Sequence, residues 1–277
     1  MAKRKKKDPN KEMSFLDHLE DLRWHLIRAS LSVVIVGVAA FLAKDFIFDT
    51  IIFGPKQADF ITYRLLCDIA QFVGLQDSFC FEELPFRIQS RTMGGQFSAH
   101  VWTSITAGFV VAFPYIIYEF WKFISPGMMS NERSTARGFI FVSSLLFFMG
   151  VTFGYYVVAP LSINFLGTYQ VSGEVFNDFD LSSYIGLVRT SVIASGLIFE
   201  LPIIIYFLTK IGLVSPEVLR KYRKMSLIVV LVLSAVITPP DIVSQIIVAI
   251  PILVLYEISI FISKIVVRNQ KKAAHVK

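Results

Sequence analysis

Carboxylates set against apolar sequence are the residues of this chain with the clearest chemical potential. Glu132 stands beside Arg133 in a polar bend that follows Ser125-Pro126-Gly127 and separates two apolar stretches. Asp17, Glu20 and Asp21 fall on one face of a helix that the Ser14–Asp17 capping pattern opens. Asp17 and Asp21 lie one turn apart and repel by roughly 0.2–0.5 kcal/mol unless a cation intervenes. That face is either a solvated surface or a seat for a cation. A guanidinium meets such carboxylates bidentately, in charge-assisted bonds contributing roughly 1.5–3 kcal/mol each.

Glu200 is a different case. It sits in Phe199-Glu200-Leu201-Pro202 inside a long apolar run, where an unpaired carboxylate is costly. It must be neutral, hydrogen-bonded or open to a wet cavity. Pro202 withholds a backbone donor and frees the Ile198 carbonyl, loosening the helix beside the acid. Two readings stand: a polar wall of a concavity, or an internal hydrogen bond to Gln245 or a Ser/Thr hydroxyl. Asp241 reads as a helix cap through Ser244, with Gln245 one turn further on. Glu119 and Glu257 read as partners of Lys122 and Lys264, and Arg189 as a snorkelling residue without a role. His100 has no serine or cysteine placed to use it. With no nucleophile–base pair, phosphate cradle or His/Cys cluster, neither catalysis nor a cofactor nor a metal is expected.

The elements that carry these groups must be membrane helices. Hydrophobic residues make up 55% of the 277 and charged ones 17%, with a mean hydropathy of +0.62. Several apolar runs can cross ~30 Å of hydrocarbon at ~1.5 Å per residue, and no alternating barrel strands occur. The fold class is an all-α polytopic membrane protein. Spans are expected at about 26–43, 101–120, 139–159 (ended by Pro160), 184–208, 225–237 and 242–262. Tyr115, Tyr118 and Trp121 mark headgroup depth. The loop from Lys210 to Lys224 is basic, as are both termini, whereas residues 161–183 hold acids and no lysine or arginine. The positive-inside rule then gives six spans with both ends cytoplasmic. The last two spans are short: thirteen or so residues rise only ~20 Å, so the bilayer must thin or other protein must shield them.

Residues 1–13 read as a disordered basic tail, 14–268 as a single six-helix membrane domain and 269–277 as a basic C-tail. Much of the net charge of +6 lies in those tails, which mark topology and contact anionic lipid rather than nucleic acid. The apolar run after Leu26 exceeds a signal-peptide core and no A-x-A site follows, so no cleaved leader is expected. An external insertion, 46–98, holds the chain's two cysteines, Cys67 and Cys80. Opposite the basic tails, they are expected to bridge in an oxidising compartment, two free thiols being the alternative. Within it, Phe60, Ile61, Leu65, Ile69 and Phe72 share a stripe that suits a short helix lying along the membrane.

Several motifs, in this order, resemble the TatC family, the multispanning core of the twin-arginine protein translocase. They are His18-Leu19-Glu20-Asp21-Leu22-Arg23, Phe113-Pro114-Tyr115, Phe123-Ile124-Ser125-Pro126-Gly127, Asn131-Glu132-Arg133 and Phe199-Glu200-Leu201-Pro202. Ser215-Pro216, Leu219-Arg220-Lys221, Thr238-Pro239-Pro240-Asp241 through Gln245, and Ala249-Ile250-Pro251 complete the set. The resemblance implies a concave, glove-like bundle in the bacterial cytoplasmic (inner) membrane that binds twin-arginine signal peptides at its cytoplasmic face. It implies that Glu132 receives the arginine pair, with Asp21 and Arg23 beside it and Phe123 flanking. It further implies that Glu200, Asp241 and Gln245 contact single-span TatA/TatB-type subunits, that the protein self-associates in a larger complex, and that the proton-motive force drives transport of folded proteins. Many relatives carry glutamate where Asp21 stands, and the insertion 46–98 with its cysteine pair is longer than is common. The rival reading is a secondary transporter for a small anion or amino acid with Glu200 at a midplane site, a class that commonly shows internal repeats. None is visible here.

Overall fold

The computed structural model describes residues 15–74, 80, 84–124, 136–238 and 241–275. Expectations that fall on residues 1–13, on the bend carrying Glu132 and on Pro239-Pro240 lie outside these described residues. In chain order the elements are α1 (Phe15–Leu42), α2 (Ile61–Val73), β1 (Arg87–Gln89), α3 (Gly95–Ile124), α4 (Ala136–Phe153) and α5 (Ala159–Thr168). They continue with β2 (Asp178–Asp180), α6 (Leu181–Phe199), α7 (Leu201–Lys210), α8 (Pro216–Lys221), α9 (Arg223–Ile237) and α10 (Ile242–His275). A π-helical stretch, Phe46–Ile52, and a 3-10 turn, Gly54–Lys56, lie between α1 and α2.

Among the described residues, five stretches are long and apolar enough to cross a membrane: 19–42, 95–124, 138–168, 181–210 and 244–272. The chain is a multi-pass membrane protein. Helix α9 has 15 residues and rises about 22 Å, too little to span ~30 Å of hydrocarbon unaided.

One expectation is corrected. Pro160 does not end the third span, because a π-helical turn, Gly154–Val158, joins α4 to α5 and the helix runs on to Thr168. Proline removes a donor and disturbs the carbonyls one turn back. Here the Thr62 hydroxyl donates to the Tyr156 carbonyl, and the Tyr63 hydroxyl donates to the carbonyl of Pro160 itself at 3.0 Å. Side chains of α2 thus supply the polar partners that let the helix continue.

Between membrane helices, lipid offers little hydrophobic drive, and small residues let backbones close up. A Cβ on Gly108 of α3 would stand 2.5 Å from the Val33 carbonyl of α1. Gly150 and Gly154 lie against the Ser195 and Ser191 carbonyls of α6 in the same way, at 2.6 and 2.5 Å. Alanine at any of these positions would force the helices apart.

The end formed by the start of α3 and of α6 is tied down by side chain to backbone bonds. Tyr63 also donates to the Pro55 carbonyl at 2.9 Å, Tyr155 to Ile51 at 2.8 Å and Tyr184 to Ile52 at 2.9 Å. Burial raises the Tyr63 phenol well above its ordinary range, so it stays a donor. Strands β1 and β2 pair in parallel, Ile88 opposite Phe179. Asp180 caps α6 through the Ser182 N–H at 2.8 Å and also accepts from the Arg91 N–H at 3.3 Å. Those two backbone donors hold its carboxyl below the usual range. Cys67 and Cys80 are joined in a disulfide.

Candidate functional site

The opposite end of the bundle gathers the start of α1, the end of α3, the start of α4 and the end of α7. Aromatic rings close it: Trp121 lies 4.6 Å from Phe139, and Phe139 lies 4.9 Å from Phe207, centroid to centroid. On α1, Asp21, Trp24, His25 and Arg28 line a recess of about 300 Å³. The His25 ring meets Phe123 of α3 edge-on at 6.3 Å. Asp21 and Phe123, expected in one site, thus lie at the same end of the bundle, Asp21 in the recess and Phe123 against the His25 ring that also lines it. Arg23 is exposed on α1. Glu132 lies outside the described residues.

Behind the recess is a group to which the sequence assigned a lesser part. Glu119 is 2% exposed, at the α1–α3 contact. Its Oε2 accepts from His25 Nδ1 at 2.6 Å and from Arg28 Nη1 at 3.4 Å, and Lys122 Nζ stands 3.9 Å from its Oε1. The expected Lys122 contact is present, but the short bonds come from α1. A usable signal was there: His25 and Arg28 are three residues apart, hence on one helix face.

Glu200 lies at the break between α6 and α7, 7% exposed. The break follows from Pro202 near the start of α7, after the Glu200 N–H has tightened onto the Leu197 carbonyl at 3.2 Å. Ser143 of α4 donates to Glu200 Oε2 at 2.8 Å. Oε1 has no hydrogen-bond partner among the described residues. Of the two internal partners considered, a hydroxyl is used and Gln245 is not. Gln245 instead donates to the Leu231 carbonyl at 3.0 Å, tying α10 to α9. Asp241 accepts from the Ser244 N–H at 2.8 Å and hydroxyl at 2.6 Å, the cap expected of it.

Two further expectations are corrected. Glu257 pairs with Arg223 at 2.6 Å rather than with Lys264, since α9 starts alongside α10. Arg189 does more than snorkel: its guanidinium lies 5.7 Å from the Trp102 ring and borders a groove. Among the described residues, no group of acids, histidines or cysteines could hold a metal ion.

Comparison with known proteins bears on this arrangement. The profile of the family "Sec-independent protein translocase protein (TatC)" matches residues 17–251. A protein of that name from Blattabacterium sp. subsp. Periplaneta americana is 45% identical over 258 residues, covering 93% of this chain and 97% of the relative. One from Aquifex aeolicus is 32% identical over 263 residues, covering 94% and 98%. Two crystal structures of the twin arginine translocase receptor TatC, one in DDM, superpose with TM-scores of 0.63 and 0.68 at 30% and 31% identity. They cover 90% and 89% of this chain and 99% of each matched chain. The chain belongs to the TatC family of Sec-independent protein translocase proteins, components of a membrane transport machinery rather than enzymes.

Proposed function

We propose that this chain is the signal-receptor core of a twin-arginine translocase in the bacterial cytoplasmic membrane. Residues 14–268 form one six-helix, glove-like domain, with α9 as a short fifth crossing and both termini cytoplasmic. The arginine pair of a signal peptide docks at Glu132 and Asp21, with Arg23 beside them and Phe123 flanking. Glu200, Asp241 and Gln245 serve the contacts with single-span TatA/TatB-type subunits. Self-association with further copies and the proton-motive force complete transport of folded precursors.

The observation that carries the reading is the seating of the Asp21 recess against Phe123, whose ring stands 6.3 Å from His25. Phe123 lies nine residues before Glu132 in the sequence, which supports a site that Glu132 shares with Asp21. Each bidentate arginine–carboxylate contact contributes roughly 1.5–3 kcal/mol, so losing one lowers affinity by about tenfold or more. The test is photo-crosslinking of a twin-arginine peptide to the protein in membranes. Glu132→Lys should abolish the crosslink and Asp21→Lys weaken it, while an Arg-Arg to Lys-Lys change in the peptide should mimic the loss. Undiminished crosslinking in both protein variants would remove these acids from the site.

A further inference from the structure

A groove of about 750 Å³ runs down one side of the bundle between α2, the π-helical stretch, α3, α4 and α6. Its lower walls are apolar, formed by Val110, Val111, Val151, Val188 and Val192. Arg64 of α2 and Arg189 of α6 border it, together with Asp59. Among the described residues, neither arginine forms an ion pair with a carboxylate.

Arg189 lies eight residues into α6, about 12 Å along the helix from Leu181. Arg189 is half-buried in an apolar membrane-spanning stretch, where an arginine is costly unless it finds an anion or a polar cavity. The Trp102 ring offers a cation–π contact of about 0.5–2 kcal/mol but no acceptor for the five N–H donors. Thr103, also at the groove, is 5% exposed, and its hydroxyl has no partner among the described residues. An anion from outside the chain would supply the missing acceptor.

We propose that this groove holds a phospholipid, its phosphate bound by Arg64 and Arg189 and one acyl chain laid along the valines. Charge favours it: two arginines against Asp59 leave one positive charge, which a phosphodiester matches. Length favours it too, since Thr103 and Val111 border the groove from points about 12 Å apart on α3. The aromatic side of α2 closes the top: the Phe60 ring stacks on Tyr156 at 5.6 Å. This inference does not rest on the signal-peptide reading.

The test uses the full chain, purified in detergent, stripped of lipid and examined by native mass spectrometry. The probes are phosphatidylglycerol, a diacylglycerol with the same chains, and glycerol phosphate. Phosphatidylglycerol should bind at least tenfold more tightly than either control. The double variant Arg64→Gln/Arg189→Gln should lose at least tenfold in phosphatidylglycerol affinity, while Arg189→Lys keeps most of it. Thr106→Trp, at a half-buried position lining the groove, should block the lipid without altering the gel-filtration profile, which covers the case of a double variant that fails to fold. Equal binding of diacylglycerol, equal competition by glycerol phosphate, or full retention in Thr106→Trp would each overturn the assignment.

Discussion

Among the described residues, two carboxylates are buried, and their surroundings treat them in opposite ways. Glu119 is met by His25, Arg28 and Lys122, drawn from two helices. Glu200 is met by Ser143 alone among the described residues, and one of its oxygens has no partner there. The first acid is saturated within the chain and acts as a bolt between α1 and α3. The second retains capacity for a donor from elsewhere. Burial alone would have ranked them as equals; counting the partners of each oxygen separates an acid saturated within the chain from one with an oxygen left open among the described residues.

The largest effect should come from removing the bolt. Breaking a buried ion pair by deleting one partner costs about 3–5 kcal/mol when a charge is left stranded. Arg28 and Lys122 are exposed enough to turn to water, so Glu119→Ala should cost nearer about 2 kcal/mol. Thermal unfolding in detergent would measure it. Glu119→Gln keeps an acceptor for His25 and should recover part of the loss. If Glu119→Ala melts like the parent, the contrast between the two acids fails at its stronger side.

Glu200→Gln comes next, and its signature is a split. The amide preserves an acceptor for Ser143, so stability should move by less than about 1 kcal/mol. Recruitment of single-span subunits, read by co-purification, should fall at least tenfold, while crosslinking of a twin-arginine peptide stays unchanged. Unaltered recruitment would place Glu200 with Glu119 as a structural acid.

Much of this contrast could be read in advance, and the rest depended on distant partners. The spans follow from long apolar runs, and Glu200 is conspicuous because a charge interrupts one of them. The cap at Asp241 was legible because its donors lie three residues away. Glu119 was read through Lys122, a neighbour on its own helix, whereas the decisive bonds come from α1, more than ninety positions earlier. Pro160 misled for the same reason: the rule that proline ends a helix is local, and the rescue comes from Thr62 and Tyr63. Arg189 looked idle because its groove exists only once α2, α3 and α6 are brought together. Helical periodicity reports which face a residue occupies; it does not report what a distant helix presents to that face.

The smallest effect should sharpen the comparison most. Ser143 is fully buried, and its hydroxyl is the single described donor to Glu200. Interhelical hydrogen bonds in membrane proteins contribute about 0.6 kcal/mol on average, so Ser143→Ala should shift stability by about that amount. Its effect on assembly should run the other way from Glu200→Gln. Without Ser143 both oxygens of Glu200 lack an internal donor, so a donor on a partner helix gains relative to the free state, and subunit co-purification should rise by a few fold. In a Glu200→Gln background the same serine substitution should leave recruitment unchanged, since the two side chains act as one unit. A rise that persists in that background would mean that Ser143 acts through α4 packing, and the half-satisfied carboxylate would no longer explain the site.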